Sequence, residues 1–188
     1  MPVFCCQEEI IMKNIRNLPH LLVDQLQKTL ASEEEQLVRL PILTGIASFS
    51  FLKSSISSYR EIKKRNIDRL NKSLDKFGIN KRENKCGITR KLIDNCASVN
   101  KITHEKHVAD AALIAAMQQI SHFNIVNYGT TASYADALNR SDISKILREA
   151  LEDEKEMDNH LSHIARESVN PSAVFDGKGI LNIGEKRF

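Results

Sequence analysis

Two carboxylates sit where a helical protein would be expected to place apolar side chains. Along residues 143–164 the positions Ile143, Leu147, Ala150, Met157, Leu161 and Ile164 recur at a heptad-like spacing, and the position that completes the series is Glu154. Near the start of the chain Leu22, Leu26, Leu30, Leu37 and Leu40 share one helical face, and the position between Leu30 and Leu37 is Glu33. A carboxylate on an apolar seam is costly unless it is paired, protonated or bound to a metal. Two of them on separate helices imply a buried polar or metal-binding centre. Close like charges raise one pKa, so without metal the pair is expected to share a proton.

Other side chains of this kind give weaker signals. His104 and His107 lie three apart at a helix start, as do His160 and His163 further on. Without a cysteine or a second histidine pair close by, solvated helix surface accounts for them better than zinc does. Cys5 and Cys6 are adjacent but have no catalytic surroundings. The four cysteines form no CxxC pair, which argues against a metal or disulfide framework and for a reducing compartment. No Ser-His-Asp set, phosphate loop or nucleotide fingerprint is present, so no catalytic residue and no cofactor is expected.

The elements that must hold the two carboxylates follow from periodicity. From Pro19, which suits a first helical turn, a helix is expected to about Ala47, kinked at Pro41. A second should reach Phe77, with Ile56, Tyr59, Ile67, Leu70, Leu74 and Phe77 on one side and Gly78 as C-terminal cap. After a polar loop over 79–85, a short amphipathic segment should turn Ile88, Leu92, Ile93, Cys96 and Val99 inward. A third long helix from about Glu105 carries Leu113, Met117, Ile120 and Phe123, bends at Gly129 and continues to Leu138. The fourth, N-capped by Ser141, should end near Arg166. The predicted division is an N-terminal arm over 1–17, a bundle over 18–167 and a tail over 168–188, with a short apolar patch, GILNI, in the tail. Met12 is a possible alternative start.

Composition agrees with an all-α, four-helix chain. The 188 residues fit one domain, there is no Trp and little Gly, and the charged fraction of 27% is ordinary. A net charge of +3 is too small to imply nucleic acid, and the Lys63–Lys64–Arg65 cluster reads as a solvated helix face. No apolar run approaches a membrane span and no signal-peptide layout opens the sequence, so a cytoplasmic protein without a membrane partner is expected. Two hairpins joined by a long crossover form a ferritin-like bundle, the architecture in which inward Glu and His build metal sites.

Three stretches carry a family resemblance: DAALIAAMQQISHFNIVNYGT (110–130), LEDEKEMDNHL (151–161) and LLVDQLQKTLASEEEQLVRLP (21–41). The chain resembles the YciE/YciF family of ferritin-like, stress-associated bacterial proteins over roughly residues 20–167. Even Cys86–Gly87 falls where the family often has a Cys before its short segment. The resemblance implies a stress-related role, a homo-oligomer (a dimer), and a dinuclear iron or manganese centre. Carried over residue by residue, the metal positions fall on Glu33, His122, Glu154 and Asp158, with Glu61 nearby on a different face. The departures are marked: Ser121 and Asn124 stand where the third helix of the family has Glu, and Tyr59 and Ile62 where the second has His and Glu. So little negative charge implies an incomplete or lost metal centre. In its place a polar core network is expected, in which Tyr59, Ser121, His122 and Asn124 give hydrogen bonds to the two carboxylates. A working di-metal protein using Glu33, Glu61, His122, Glu154 and Asp158 in altered geometry is the alternative.

Overall fold

The computed structural model describes residues 15–79 and 87–174. The loop over 80–86, Cys5, Cys6, Cys86, Met12 and the GILNI patch lie outside the described residues, as does most of the predicted arm and tail.

Helix α1 spans Leu18–Ile46. Asn17 caps it, its side-chain oxygen accepting from the His20 amide at 3.0 Å, and Pro19 occupies the first turn where no amide donor is needed. The helix runs on through Pro41. Helix α2 covers Ser50–Asp75 and closes on Gly78, whose φ of +65° is the left-handed conformation that glycine adopts without steric cost. Its entry is held from another helix: buried Asp110 accepts from the Ser48 amide at 2.7 Å, from the Phe49 amide at 3.2 Å and from the Ser48 hydroxyl.

Helix α3, Gly87–Ile102, is the short amphipathic segment, but its inward face differs from expectation. Thr89, Ile93 and Cys96 are buried, Leu92 and Val99 half-buried, and Ile88 exposed. Helix α4, Lys106–Ala137, is continuous through Gly129. Its end at Asn139, with φ +56°, and the amide of Arg140 bonded back to Ala135 make the tight reversal into α5, Ser141–Ile164. Ser141 opens that helix rather than capping it. The cap position is Arg140, which makes no side-chain capping bond.

The helical path then runs past the expected end at Arg166. A wider π turn, Ala165–Val169, carries the chain into α6, Asn170–Val174. Pro171 has no amide hydrogen and its ring would crowd the carbonyl four residues back in a regular helix, so the wider turn ahead of it has a steric reason. Val169 in this turn is fully buried.

The four long helices pack as a ring, α1 on α2 and α4, and α5 on α4 and α2, with α3 laid against α1 and α4. Their seams bury two apolar clusters. One contains Leu40, Leu43, Ile56, Met117, Ile120, Met157 and Leu161, the other Leu26, Leu30, Leu70, Leu74, Ala132, Leu147 and Ala150. On every long helix the residues between those two sets are polar and buried: Ser32, Glu33 and Gln36 on α1, Lys63 and Asn66 on α2, Ser121 and Asn124 on α4, and Glu154 on α5. A polar layer therefore crosses the middle of the bundle.

Candidate functional site: a buried lysine between two glutamates

Each long helix sends at least one polar side chain into this layer because its heptad phase is continuous through it. Glu33 follows Leu30 on the α1 seam and Glu154 lies between Ala150 and Met157 on the α5 seam; both are completely buried. Between them is Lys63 of α2, also completely buried. Its Nζ donates to Glu33 Oε1 at 3.2 Å and, by a short contact, to Glu154 Oε1. The same Nζ lies 4.1 Å from the centroid of the Tyr59 ring, one turn earlier on α2. The ammonium is thus bounded by two carboxylate oxygens and an aromatic face, all favourable to positive charge.

The outer carboxylate oxygens are treated unequally. Glu154 Oε2 accepts from the Tyr59 hydroxyl at 2.6 Å and from Ser121 Oγ at 3.1 Å. Ser121 has one hydroxyl proton and also reaches the Glu154 carbonyl at 2.9 Å, so that proton is shared. On the other side, Glu33 Oε2 faces the buried Tyr128 hydroxyl, but neither atom reaches ordinary hydrogen-bond geometry.

Charge balance explains the titration of the group. With both carboxylates ionised the triad carries one net negative charge; with one protonated it is neutral. Burial pushes the Glu33 carboxyl up to about 7, the attraction of Lys63 offsetting only part of this, and the negative charge of Glu154 adds to the rise. Burial alone would lower the Lys63 pKa, yet the charges of Glu154 and Glu33 outweigh it and hold the ammonium form well above the ordinary lysine range. Burial also raises both Tyr59 and Tyr128, helped by the neighbouring carboxylates, so both phenols stay neutral and Tyr59 keeps the proton it donates to Glu154.

A neutral network adjoins the charged one. Gln36 and Asn124 exchange two amide hydrogen bonds, both of 3.0 Å, and Gln36 Nε2 also donates to Ser32 Oγ at 2.9 Å. Ser32 in turn pairs with Thr89 of α3 at 2.9 Å, tying the crossover helix to the layer.

Of the five metal-ligand candidates the structure brings Glu33 and Glu154 to one place and leaves three elsewhere. Glu61 is on the surface, paired with Lys64 at 2.7 Å. His122 is 66% exposed and faces Asp158 across the α4–α5 groove at 3.3 Å. Asp158 also accepts from Gln118 at 3.1 Å. The expected hydrogen-bonding role of Tyr59 and Ser121 matches the geometry, whereas Asn124 bonds to Gln36 and His122 points outward. Ile62 is half-buried against the first apolar cluster. The two histidine pairs, His104/His107 and His160/His163, are exposed: His107 packs on Phe49 with ring centroids 5.2 Å apart, and His160 meets Ser55 at 2.9 Å.

The residue missed from sequence is Lys63. Reading it as a solvated face with Lys64 and Arg65 is wrong for Lys63 and right for its exposed neighbours. The signal was available, because Ile56, Tyr59, Lys63 and Leu70 share one face of α2, the same pattern that exposed Glu154. The shared-proton expectation also changes: a cation, not only a proton, separates the two carboxylates.

A dinuclear divalent centre does not fit this donor set. Two dications need several carboxylates to neutralise and bridge them. Here two are present, both already hold an ammonium, and the other lining groups are neutral hydroxyls. Among the described residues no cluster of three or more His, Cys, Asp or Glu side chains is disposed to hold a metal ion.

Comparison with known proteins places the chain. The model of the family described as a domain of unknown function, DUF892, matches residues 17–174, ending where α6 ends. The chain belongs to this family. Protein YciF of Escherichia coli K12 is 29% identical over 161 residues, which cover 85% of this chain and 97% of that protein. The crystal structure of the Escherichia coli stress protein YciF superposes with a TM-score of 0.78, over 83% of this chain and 99% of that one. YcfI from Rhodopseudomonas palustris matches with a TM-score of 0.77 at 26% identity, over 81% of this chain and 98% of that chain. No helix among the described residues is long and apolar enough to cross a membrane.

Proposed function

We propose that this chain is a stress-associated bundle protein of the YciF type that acts without a dinuclear metal centre and without catalysis of its own. The observation that carries the reading is Lys63, whose ammonium takes the central position between the two carboxylates of the polar layer, Glu33 and Glu154. The stress association rests on the likeness to YciF, called a stress protein. In this reading the protein works in the cytoplasm through its surface and its assembly, and its centre serves to define the bundle. The test is metal analysis of protein purified from cells supplied with iron and manganese, combined with an iron-oxidation assay. The reading expects neither stoichiometric metal nor oxidation above the uncatalysed rate; tightly bound metal with iron turnover would favour the di-metal alternative.

Self-association is a compatible second reading. Val38 and Ile42, one turn apart on α1, are 75% and 48% exposed, an apolar pair facing outward on a helix that otherwise packs tightly. A homodimer is expected to bury them. Light scattering on the intact chain and on a Val38→Lys variant checks this, with a shift of the variant to monomer as the expected result.

A further inference from the structure

We infer that the centre of the bundle is a binding site for a primary ammonium group, with Lys63 as its permanently tethered ligand. The inference builds on the metal-free reading above and concerns what the site selects. A primary ammonium has three N–H donors. At this site two of them meet carboxylate oxygens from two different helices, Glu33 Oε1 and Glu154 Oε1, and the cation lies against the Tyr59 ring at 4.1 Å. That combination is suited to an alkylammonium. An aromatic face attracts such a cation but supplies no lone-pair donor in the plane of a metal's coordination shell. The outer oxygen of Glu154 is occupied by the Tyr59 and Ser121 hydroxyls, so it is not free to bridge a second ion. All of these side chains are completely buried, so in the unaltered chain the lysine itself occupies the site and screens it from solvent.

Shortening the tether therefore opens a cavity shaped for the part removed. Lys63→Ala deletes three methylenes and the ammonium, which is n-propylammonium in outline. The free ligand should bind the variant and stabilise it, since it binds the folded state and not the unfolded one. At about a hundredfold excess over its dissociation constant it should raise the melting midpoint of Lys63→Ala by roughly 5 °C or more. Wild-type protein, whose site is filled, should show no such rise. Tetramethylammonium has the charge without N–H donors and should not substitute, and neither should manganese chloride at equal ionic strength.

The inference is overturned if propylammonium stabilises the variant no more than tetramethylammonium does, or if manganese is the better rescuer. Either result leaves the metal analysis of wild-type protein to decide the metal-free reading separately. Should Lys63→Ala fail to fold, refolding with propylammonium is the same test, with recovery expected only in its presence. A measurement on the unaltered chain stands beside it: nitrogen-15 NMR of the lysine side chains. It should show one ammonium group, removed by Lys63→Met, that remains charged and protected from solvent exchange at mildly alkaline pH. A neutral or rapidly exchanging amine at Lys63 would overturn the assignment.

Discussion

Glu154 and Asp158 lie one turn apart on α5, and each faces a nitrogen-bearing side chain on a neighbouring helix, Lys63 and His122, but the two sites differ in kind. Glu154 is closed off from solvent with Lys63, Tyr59 and Ser121 around it. Asp158 meets a histidine that is 66% exposed, in a groove open to water. In the first case each charge depends on its partners, because water cannot replace them. In the second, water competes for both groups and the pair is of the kind that contributes little. Chemical type and helical proximity thus do not make a centre; heptad phase does, by deciding which carboxylate reaches the dry seam.

This contrast can be broken most sharply from the lysine side. Lys63→Met leaves two buried carboxylates without their cation and is expected to cost about 3–5 kcal/mol, read from urea unfolding. Because the loss comes from the carboxylates left unpaired, removing them too should repair it. The triple variant Glu33→Leu, Lys63→Met, Glu154→Leu is expected to unfold near wild-type denaturant concentrations or higher, as replacement of whole buried ion triads can do. A triple variant as unstable as Lys63→Met would show that packing at position 63, not charge, dominates.

A somewhat smaller effect is expected from pH. Glu33 has its carboxyl raised from 4.5 to about 7 in the folded chain, so folding takes up a proton between these values. The stability this contributes is fully present below pH 4.5, declines as pH rises through 7, and is absent above it. The swing amounts to roughly 3 kcal/mol at most. Glu33→Gln, which keeps a neutral group, should abolish it. The decisive quantity is the difference between the two proteins across that window, because the low carboxyl pKa of Asp142, held down by Arg140 and Lys76, acts in the opposite sense at lower pH. Equal pH slopes for both proteins would remove Glu33 from the account.

Next comes Asp110, whose carboxylate receives the two amides and the hydroxyl that start α2. Asp110→Ala should cost about 1–2 kcal/mol, the size of losing a helix cap, without changing the pH slope assigned to Glu33. The smallest effect belongs to the outer pair. His122→Ala and Asp158→Ala are expected to leave the unfolding midpoint indistinguishable from wild type; a large loss in either would mean that the groove is a site in its own right.

Much of this arrangement is legible in the sequence. Regular spacing of Leu, Ile and Met marks the four long helices, and a break in that spacing exposes Glu33 and Glu154. Lys63 escaped because neighbouring Lys64 and Arg65 made it look like part of a charged run, although its place on the Tyr59 stripe is as regular as that of Glu154. His122 and Asp158 were carried over by likeness of motif, which fixes residue type but not the direction of a side chain; the rotation of α4 sends Ser121 and Asn124 inward and His122 out. The extension to Val174 was hidden because Pro171 looks like a stop signal, and only a widened turn lets the helix pass it. The Gln36–Asn124 pair could not be read from one chain segment, since each amide is satisfied by a residue 88 positions away.

The central claim is that the cation between Glu33 and Glu154 belongs to the chain itself. Its most direct test is a high-resolution crystal structure of protein produced and crystallised with iron and manganese, with anomalous data at both absorption edges. The account predicts continuous density for Lys63 reaching both carboxylates and no anomalous peak between them. A peak at that position, with the Lys63 side chain turned away, would contradict it.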